Sequence, residues 1–230
     1  MKTAQPQLIE RGFAVEQSGL VHRVWEPDSD HNRPTIVMLH GRSGTEDVAW
    51  VFARALPKEW LLVAPRAIHA DHRGGYSWDV RPEGQWPPHN AFDDATAALD
   101  HFINALPRLY NADLNRLYLL GFSQGAAVCY SYARRYAKKV KGIAGLVGLT
   151  TVDAANDPNR VNLQDLPIFM AVGRRDETVP LSISRLCANA LIAGGARLDY
   201  REYSTGHKLN SRGMRDLATW WRTISDQKNR

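Results

Sequence analysis

The apolar residues of this chain fall into short unbroken runs that alternate with segments of helical spacing. The five runs are "TIVMLHG" at 35–41, "WLLVAPRA" at 60–67, "LYLLGF" at 117–122, "GIAGLVGL" at 142–149 and "PIFMAVG" at 167–173. Runs that are apolar at every position are typical of strands buried on both faces of a parallel sheet. Because helical patterns separate these runs, the sequence predicts an α/β fold with a mostly parallel sheet covered by helices on both faces.

The remaining segments complete this prediction. Helices are predicted at 49–57, 91–106, 124–139, 181–193 and 209–224, and a further strand at 197–203. The helix at 91–106 is expected to end before Pro107, because proline marks helix boundaries. Alternating apolar and polar residues at 13–27, around Ser18 and Gly19, predict an antiparallel hairpin. No linker divides the chain, so residues 1–230 are expected to form a single domain.

One serine lies where a predicted strand turns into a predicted helix. The segment "LYLLGFSQGAAVCYSYA" at 117–133 places Ser123 between Gly121 and Gly125. Glycine has no Cβ atom, so the two elements can approach closely at this turn. The G-x-S-x-G pattern therefore predicts a nucleophile elbow at the carboxyl end of a strand, where such sheets place their functional groups. The alternative is a serine that only caps the helix.

A serine hydroxyl is a weak nucleophile and needs a base, for which a histidine oriented by an acid is the expected partner. In the chain order typical of this turn, the acid and then the histidine follow the serine. His207 is the only histidine after Ser123, and it follows the predicted strand at 197–203. We therefore expect His207 to be the base, although a solvated surface histidine is the ordinary alternative.

The acid is expected after the preceding predicted strand, in "MAVGRRDETVP". Asp176 lies just past that strand and is the predicted acid, with Glu177 as the first alternative. Asp153 and Asp157, which follow the run at 142–149, are weaker alternatives. Asp176 would otherwise be a loop residue that caps the turn into the next helix.

Backbone N–H groups are predicted to stabilise the oxyanion that forms during attack on a carbonyl. One is the N–H of Gln124, which directly follows the serine, and the other is the N–H of Arg42 in the loop after "VMLHG". Gly41 lets the backbone of this loop face a substrate. His40 is expected to orient the loop and not to act as a base.

The composition excludes several other classes of protein. The chain has 230 residues, of which 44% are hydrophobic and 23% charged, as in a globular protein that is not embedded in a membrane. The apolar runs are shorter than the roughly 20 residues that a membrane-spanning helix needs. The N-terminal segment has no apolar core of a secretory signal, and two cysteines do not make a disulfide framework. We therefore expect a cytoplasmic protein without integral membrane association.

The net charge of +5 does not by itself indicate a nucleic-acid partner. The densest basic group is Arg134, Arg135, Lys138, Lys139 and Lys141. These residues lie at the end of a predicted helix, where cations offset the helix dipole. No nucleic-acid-binding module accompanies them.

A metal-dependent hydrolase is the alternative from a different class. The segment "HADH" offers His69, Asp71 and His72, and His89 follows later. These residues lie in the Gly-, Pro- and aromatic-rich segment at 69–90, and a metal site needs three or four ligands on rigid supports. We expect neither a metal nor an organic cofactor, and a non-catalytic binding protein is the third alternative.

The order and spacing of these motifs resemble the phospholipase/carboxylesterase family of α/β-hydrolases, which includes acyl-protein thioesterases and small carboxylesterases. The resemblance extends from about residue 35 to 218. It rests on "LHG" (39–41), "AP" (64–65), "GGYSWDV" (74–80), "GFSQGAA" (121–127), "GRRDETVP" (173–180) and "GHKL" (206–209). It implies an α/β-hydrolase fold without a separate cap domain, the triad Ser123, Asp176 and His207, and backbone donors at Arg42 and Gln124.

The chain also departs from the better-known thioesterases of this family, which carry an apolar residue in place of Arg42. The stretch "TTVDAANDPNR" is polar and does not resemble a long acyl channel. The expected substrate is therefore a small-molecule ester of short to medium acyl chain, with a thioesterase or lysophospholipase as the alternative. The predicted pocket residues are Tyr76, Trp78, Leu149 and Val179, with Trp86 as a further candidate.

Overall fold

The computed structural model describes residues 5–28, 32–82, 84–151 and 162–226. The strands are β1 (Gln7–Ile9), β2 (His22–Trp25), β3 (Arg33–Leu39), β4 (Leu61–Pro65), β5 (His69–Ala70), β6 (Tyr76–Ser77), β7 (Ala112–Phe122), β8 (Ile143–Leu146), β9 (Pro167–Gly173) and β10 (Arg197–Tyr203). The helices are α1 (Phe13–Ser18), α2 (Asp93–Tyr110), α3 (Gln124–Tyr136), α4 (Leu181–Ala193) and α5 (Ser211–Asp226), with 3-10 helices at Val48–Ala55 and Ala137–Lys139.

Eight of these strands form one sheet in the order β1-β2-β4-β3-β7-β8-β9-β10. The six strands from β4 to β10 in this order are parallel to one another, which confirms the predicted mostly parallel sheet. Strands β1 and β2 form an antiparallel edge. The carboxyl ends of β3, β7, β9 and β10 therefore lie at the same end of the sheet, and this end carries the site described below.

Each face of the sheet is covered by its own layer of helices. Helices α2, α3 and α4 pack on one face, and α5 and the 3-10 helix Val48–Ala55 pack on the other. On the second face, the rings of Trp60, Tyr118 and Trp221 lie within 6.2 Å of one another, and Trp221 is fully buried. Apolar residues at every position of the central strands are explained by this burial on both faces.

The predicted hairpin at 13–27 is wrong. Residues Phe13–Ser18 form helix α1, and Gly19 ends that helix in the left-handed conformation, with φ of 76°. Its N–H donates to the carbonyl oxygen of Val15 at 2.7 Å. A Ser-Gly pair is compatible with both a hairpin turn and a helix end, and here glycine has its common role after the last helical turn. Strand β2 then pairs with β1 and β4, and β1 itself was not predicted.

Other elements differ from the predictions at their ends. Helix α2 continues through Pro107 to Tyr110, because Asn111 in the left-handed conformation ends it and donates its N–H to the carbonyl of Pro107. Strand β7 begins five residues earlier than predicted, at Ala112, and its pairing with β3 shifts register between Pro34 and Thr35. The segment at 69–90 contains the two-residue strands β5 and β6. No helix in the described part of the chain is both long and apolar enough to span a membrane.

Candidate active site

Ser123 occupies the turn between β7 and α3 in a strained backbone conformation. Its φ is 53° and its ψ is −117°, a combination that residues with a side chain rarely adopt. The backbone N–H of Ser123 donates to the carbonyl oxygen of Leu146 in β8 at 2.8 Å. This conformation directs the turn away from both elements, and Ser123 lines an open cavity at the end of the sheet.

The two glycines that flank Ser123 allow this turn because they have no side chains. A Cβ atom on Gly121 would lie 2.4 Å from the carbonyl group of Gly125. A Cβ atom on Gly125 would lie 2.2 Å from the carbonyl oxygen of Leu39 in β3. Both obstacles are backbone atoms, which cannot rotate away as a side chain can. Helix α3 therefore approaches β3 and β7 so closely that only glycine fits at positions 121 and 125.

Three side chains from three strand ends form one hydrogen-bonded chain. His207 Nε2 lies 2.9 Å from Ser123 Oγ, and His207 Nδ1 lies 2.8 Å from Asp176 Oδ2. An ionised carboxylate can only accept a hydrogen bond, so Nδ1 carries the imidazole proton and Nε2 is left to accept the serine hydroxyl proton. The structure therefore brings together the serine, the histidine and the aspartate named from the sequence.

Asp176 is held firmly in place. Asp176 is only 7% exposed, and its Oδ1 accepts hydrogen bonds from the backbone N–H groups of Thr178 and Val179, both at 2.9 Å. Glu177, the first alternative acid, is exposed and makes no hydrogen bond with the imidazole among the described residues. The weaker alternatives, Asp153 and Asp157, lie outside the described residues.

The loop that follows β3 lies directly beside the serine. A Cβ atom on Gly41 would be 3.2 Å from Ser123 Cβ, and Arg42 and Gln124 line the same cavity as Ser123. Gln124 is the first residue of α3, and N–H groups of the first helical turn have no carbonyl partner within the helix. The two predicted oxyanion donors therefore belong to the residues that directly follow Gly41 and Ser123, which lie next to each other.

His40 anchors this loop in the manner expected from the sequence. It is fully buried, its Nδ1 lies 2.7 Å from the carbonyl oxygen of Gly41, and its Nε2 accepts the N–H of Ala67 at 3.0 Å. Burial lowers the pKa of His40 below its ordinary value, which keeps the ring neutral. A neutral ring is required here, because only an unprotonated Nε2 can accept the N–H of Ala67.

The side chain of Gln124 has a role that the sequence did not indicate. Its Oε1 accepts the backbone N–H of Trp78 at 2.8 Å, and its Nε2 donates to the carbonyl oxygen of Asp79 at 3.0 Å. The residue after the serine thus fixes the segment that follows β6 against the elbow. No local pattern could have revealed this contact, because it joins residues that are 45 and 46 positions apart.

A second group of hydrogen bonds holds the loop that follows β3, at Ser43. Ser77 Oγ donates to Asp71 Oδ2 at 2.6 Å and accepts the backbone N–H of Ser43 at 3.0 Å. The bond from Ser77 and that from the Arg73 N–H hold the pKa of Asp71 well below its usual range. Ser43 itself has a φ of 56°. Asp71 therefore supports the loop that carries Arg42.

Of the residues considered as metal ligands, His72 Nδ1 lies 3.5 Å from Asp71 Oδ1, but no third ligand joins this pair among the described residues. His72 is 82% exposed at its side chain, and His69 lies in β5. Within the described ranges, no group of three or more histidine, cysteine, aspartate or glutamate side chains is placed to hold a metal ion.

The cavity above Ser123 has a volume of about 540 Å³. Its apolar lining comes mainly from Trp86, Phe92, Leu149, Val179 and Ile183, and its charged lining from Arg42, Arg81 and Glu177. Leu149, Val179 and Trp86 thus lie where the sequence predicted them. The cavity volume is typical of sites for small organic molecules.

The predictions for Tyr76 and Trp78 are not met by the structure. Trp78 is 1% exposed, and its indole N–H donates to the carbonyl oxygen of His40 at 2.9 Å. Tyr76 packs under the guanidinium of Arg66, which lies 4.6 Å from its ring centre. Neither residue lines the cavity. Both rings support the loop beneath the site, because the segment turns their side chains toward the core.

The two cysteines are buried and do not form a disulfide bond. Burial raises the pKa of the Cys187 thiol to about 11 and that of Cys129 further. A thiol that stays protonated is a poor nucleophile. Neither cysteine therefore competes with Ser123 as a reactive group.

A sheet of this order, with a serine on a strained strand–helix turn and an aspartate and a histidine at later strand ends, defines the α/β-hydrolase class. The chain belongs to the phospholipase/carboxylesterase family, because the family model matches residues 21–225. This match confirms the family that the sequence motifs resemble.

Solved structures and a curated relative agree with this assignment. The carboxylesterase of Bacillus cereus superimposes with a TM-score of 0.81 at 20% identity, over 91% of this chain and 97% of that one. A carboxylesterase of Mesorhizobium loti does so with a TM-score of 0.81 at 21% identity, over 94% and 98%. At these identities the similarity confirms the α/β-hydrolase fold alone.

The curated relative is acyl-protein thioesterase 1 of Yarrowia lipolytica. It is 27% identical over 110 residues, which are 46% of this chain and 48% of that protein. The chain thus spans about half the length of this relative.

Substitution of Gly125 by alanine tests the close backbone approach at the elbow. Because the new methyl group would meet the Leu39 carbonyl at 2.2 Å, we expect Gly125→Ala to reduce the free energy of unfolding by about 3 kcal/mol or more. Gly194→Ala is the control, since its Cβ atom would meet nothing closer than the end of the Leu163 side chain, at 3.3 Å. Urea denaturation measures both, and equal stability of the two variants would contradict the packing described here.

Removal of the Gln124 side chain tests its hold on the neighbouring segment. In Gln124→Ala the Trp78 N–H loses its acceptor, so we expect its hydrogen exchange to be about fivefold faster, as for the loss of one hydrogen bond. Gln85→Ala is the control, because Gln85 lines the same cavity and is exposed. Hydrogen–deuterium exchange of peptides covering 76–81 measures both. Unchanged exchange in Gln124→Ala would show that this contact does not restrain the segment.

Proposed function

We propose that this protein hydrolyses carboxylic esters through a covalent acyl-enzyme on Ser123. The observation that carries the proposal is the hydrogen-bonded chain from Ser123 through His207 to Asp176, with distances of 2.9 and 2.8 Å. Such a chain supplies what a serine hydroxyl lacks, which is a base in the correct tautomer beside the nucleophile. Membership of a family of phospholipases and carboxylesterases supports the same reaction.

In the first half of the proposed reaction, Ser123 Oγ attacks the carbonyl carbon of the ester while His207 Nε2 takes the hydroxyl proton. The carbonyl oxygen becomes an oxyanion, which the N–H groups of Arg42 and Gln124 stabilise. One such donor contributes about 3 kcal/mol to the stability of the transition state. The tetrahedral intermediate then expels the alcohol, to which His207 returns the proton, and leaves an acyl group on Ser123.

In the second half, water replaces the alcohol. His207 Nε2 takes a proton from the water as its oxygen attacks the acyl carbon, and the same two N–H groups receive the second oxyanion. The intermediate then collapses to release the carboxylic acid, and His207 Nε2 returns its proton to Ser123 Oγ as that oxygen leaves. Throughout, the carboxylate of Asp176 stabilises the imidazolium and holds its ring orientation. The residues account for both steps without a redox change.

The substrate we propose is a small-molecule ester with a short to medium acyl chain. The apolar wall formed by Trp86, Leu149 and Ile183 fits such a chain, and a cavity of about 540 Å³ fits a small molecule. An acyl thioesterase, as the name of the Yarrowia lipolytica relative suggests, or a lysophospholipase would use the same residues. We propose further that the chain acts as a single domain in the cytoplasm.

Substitution of the proposed nucleophile and base tests the mechanism. We expect Ser123→Ala and His207→Ala to lose at least about 1,000-fold in kcat for p-nitrophenyl butyrate, because neither variant can transfer the serine proton. His72→Ala is the control, since its side chain is 82% exposed, and it is expected to retain wild-type turnover. Circular dichroism checks that all variants are folded. More than a tenth of wild-type activity in folded His207→Ala would refute its role.

The same assay distinguishes the alternatives when the acyl chain is varied. A maximum of kcat/KM at about two to six carbons supports the small-ester proposal, because the cavity of about 540 Å³ fits a small molecule. A maximum at twelve or more carbons, or a preference for thioesters, favours a lipid-directed enzyme. A folded protein that neither turns over these esters nor reacts with a fluorophosphonate at Ser123 is a binding protein.

A further inference from the structure

Arg42 and Arg81 line the same cavity as Ser123. Their side chains are 22% and 20% exposed, so both guanidinium groups are partly withdrawn from solvent. A charge in such a position interacts more strongly with a ligand than one on an open surface, because less water screens it. These two residues are called the arginine pair below.

The two members of the arginine pair differ in how their charge is compensated. Arg81 Nη2 lies 2.6 Å from Asp79 Oδ2, and the backbone N–H of Arg81 donates to the same oxygen at 3.3 Å. Arg42 Nη2 lies 3.8 Å from that oxygen, which is beyond hydrogen-bond range. One carboxylate therefore serves two guanidinium groups, and its charge is taken up mainly by Arg81.

The guanidinium of Arg42 consequently has hydrogen-bond donors to spare. Within the described part of the chain it has the 3.8 Å ion pair with Asp79 and no side-chain hydrogen bond. Its nitrogens are not among the buried atoms that lack a partner, so they are accessible from the cavity. A guanidinium has five N–H donors in a planar fork, which suits a carboxylate.

The loop backbone that carries Arg42 is well anchored. The Arg42 backbone lies beside Ser123, in the loop that His40, Ser77 and Asp71 anchor. Its neighbour Asp79 is fixed by the bond that its carbonyl accepts from Gln124. A site that is ordered before binding loses less entropy when the ligand arrives. Nothing in the proposed hydrolytic steps requires a positive charge at this position.

From this arrangement we propose that the substrate carries an anionic group, a carboxylate, which the Arg42 guanidinium recognises. This inference rests on the proposed function and names the substrate class of the same site. The apolar wall holds the hydrocarbon part of such an ester, and the arginine pair faces its charged end. The carboxylate belongs either to the acyl chain or to the alcohol, since both are within the cavity during attack.

The other charges around the cavity agree with this proposal. Glu177 lies among the lining residues but is exposed, where solvent screens its charge. The chain as a whole has a net charge of +5, which favours the approach of anions. A neutral ester would leave the Arg42 donors to water, whereas a carboxylate would form charge-assisted hydrogen bonds with them.

Paired substrates test the proposal. The first pair varies the acyl side. Monoethyl glutarate ends in a carboxylate where ethyl 5-methylhexanoate ends in an isopropyl group. The anion 4-acetoxybenzoate and 4-isopropylphenyl acetate provide the same comparison on the alcohol side. For each pair, the ratio of kcat/KM for the anionic to the neutral ester is measured by acid release. Intrinsic reactivities cancel when this ratio is compared between wild type and variants.

Substitution of Arg42 is expected to change this ratio. Arg42→Met removes the charge but keeps the backbone N–H, so we expect the ratio to fall about tenfold or more for at least one pair. Arg42→Lys keeps the charge and is expected to retain part of the ratio. Arg54→Met is the matched control, because Arg54 is exposed and does not line the cavity. It loses the same net charge, and its ratio is expected to stay within about twofold of wild type.

Substitution of Asp79 is expected to act in the opposite direction. Asp79→Asn removes the carboxylate that competes for the guanidinium groups, so the ratio should rise. Substitution of a residue with a purely structural role would lower kcat/KM for both esters of a pair together and leave their ratio unchanged. The Arg42→Met variant also locates the carboxylate. If its kcat/KM ratio falls for the glutarate pair alone, the carboxylate belongs to the acyl side. If the ratio falls for the acetoxybenzoate pair alone, the carboxylate belongs to the alcohol side.

The result that would overturn the proposal is turnover of the neutral esters with ratios that Arg42→Met changes by less than about twofold. If wild type hydrolyses none of the four esters, p-nitrophenyl butyrate turnover and fluorophosphonate labelling decide whether the proposed function fails. In that case calorimetry with glutarate and 4-hydroxybenzoate decides the anion site separately. Binding that weakens about tenfold in Arg42→Met supports the site, and equal or absent binding contradicts it.

Discussion

The contact on which the whole site depends is made by backbone atoms. Helix α3 meets β3 so closely that a methyl group on Gly125 would lie 2.2 Å from the Leu39 carbonyl oxygen. This approach forces Ser123 into a strained conformation, with φ of 53°, and holds it there. Strain at a single residue costs about 1–3 kcal/mol and persists only when the surrounding structure imposes it. Here the buried sheet supplies that constraint, because β3, β7 and β8 cannot separate without exposing both apolar faces.

The rest of the site follows from the directions of the strands. Strands β9 and β10 run parallel to β7, so the loops that carry Asp176 and His207 emerge at the same end of the sheet as Ser123. Two N–H groups then hold Asp176, and Asp176 holds His207. Because His207 Nδ1 donates to Asp176, His207 Nε2 is the ring nitrogen that faces the serine hydroxyl. The fold itself therefore holds these three side chains in the order that the proposed proton transfer needs.

The features predicted correctly were those with local signals. Continuous apolar runs predicted the central strands, and the spacing around Ser123 predicted the turn, because each depends on neighbours in sequence. The segment at 13–27 was misinterpreted because a glycine after serine can end a helix as well as turn a hairpin, and Gly19 does the former. Alternating polarity over a few residues does not separate these outcomes.

The lining of the cavity was predicted less well, for a related reason. Tyr76 and Trp78 lie in the expected loop, but their rings turn inward to support it, and a loop has no periodicity that reveals side-chain direction. The side chain of Gln124 and the ion pair of Arg81 with Asp79 were missed altogether. These contacts join segments that are distant in sequence or depend on how one loop folds. Only the three-dimensional arrangement contains that information.

We propose that one particular carboxylate, that of Asp176, orients the imidazole that activates Ser123. The most direct measurement is the rate at which a fluorophosphonate labels Ser123 in Asp176→Asn and in Glu177→Gln, two neighbouring changes that each remove one negative charge. We expect labelling to slow by about 1,000-fold or more in Asp176→Asn, where the amide favours the wrong tautomer, and to change little in Glu177→Gln. Rapid labelling of Asp176→Asn, or slow labelling of Glu177→Gln alone, would contradict this proposal.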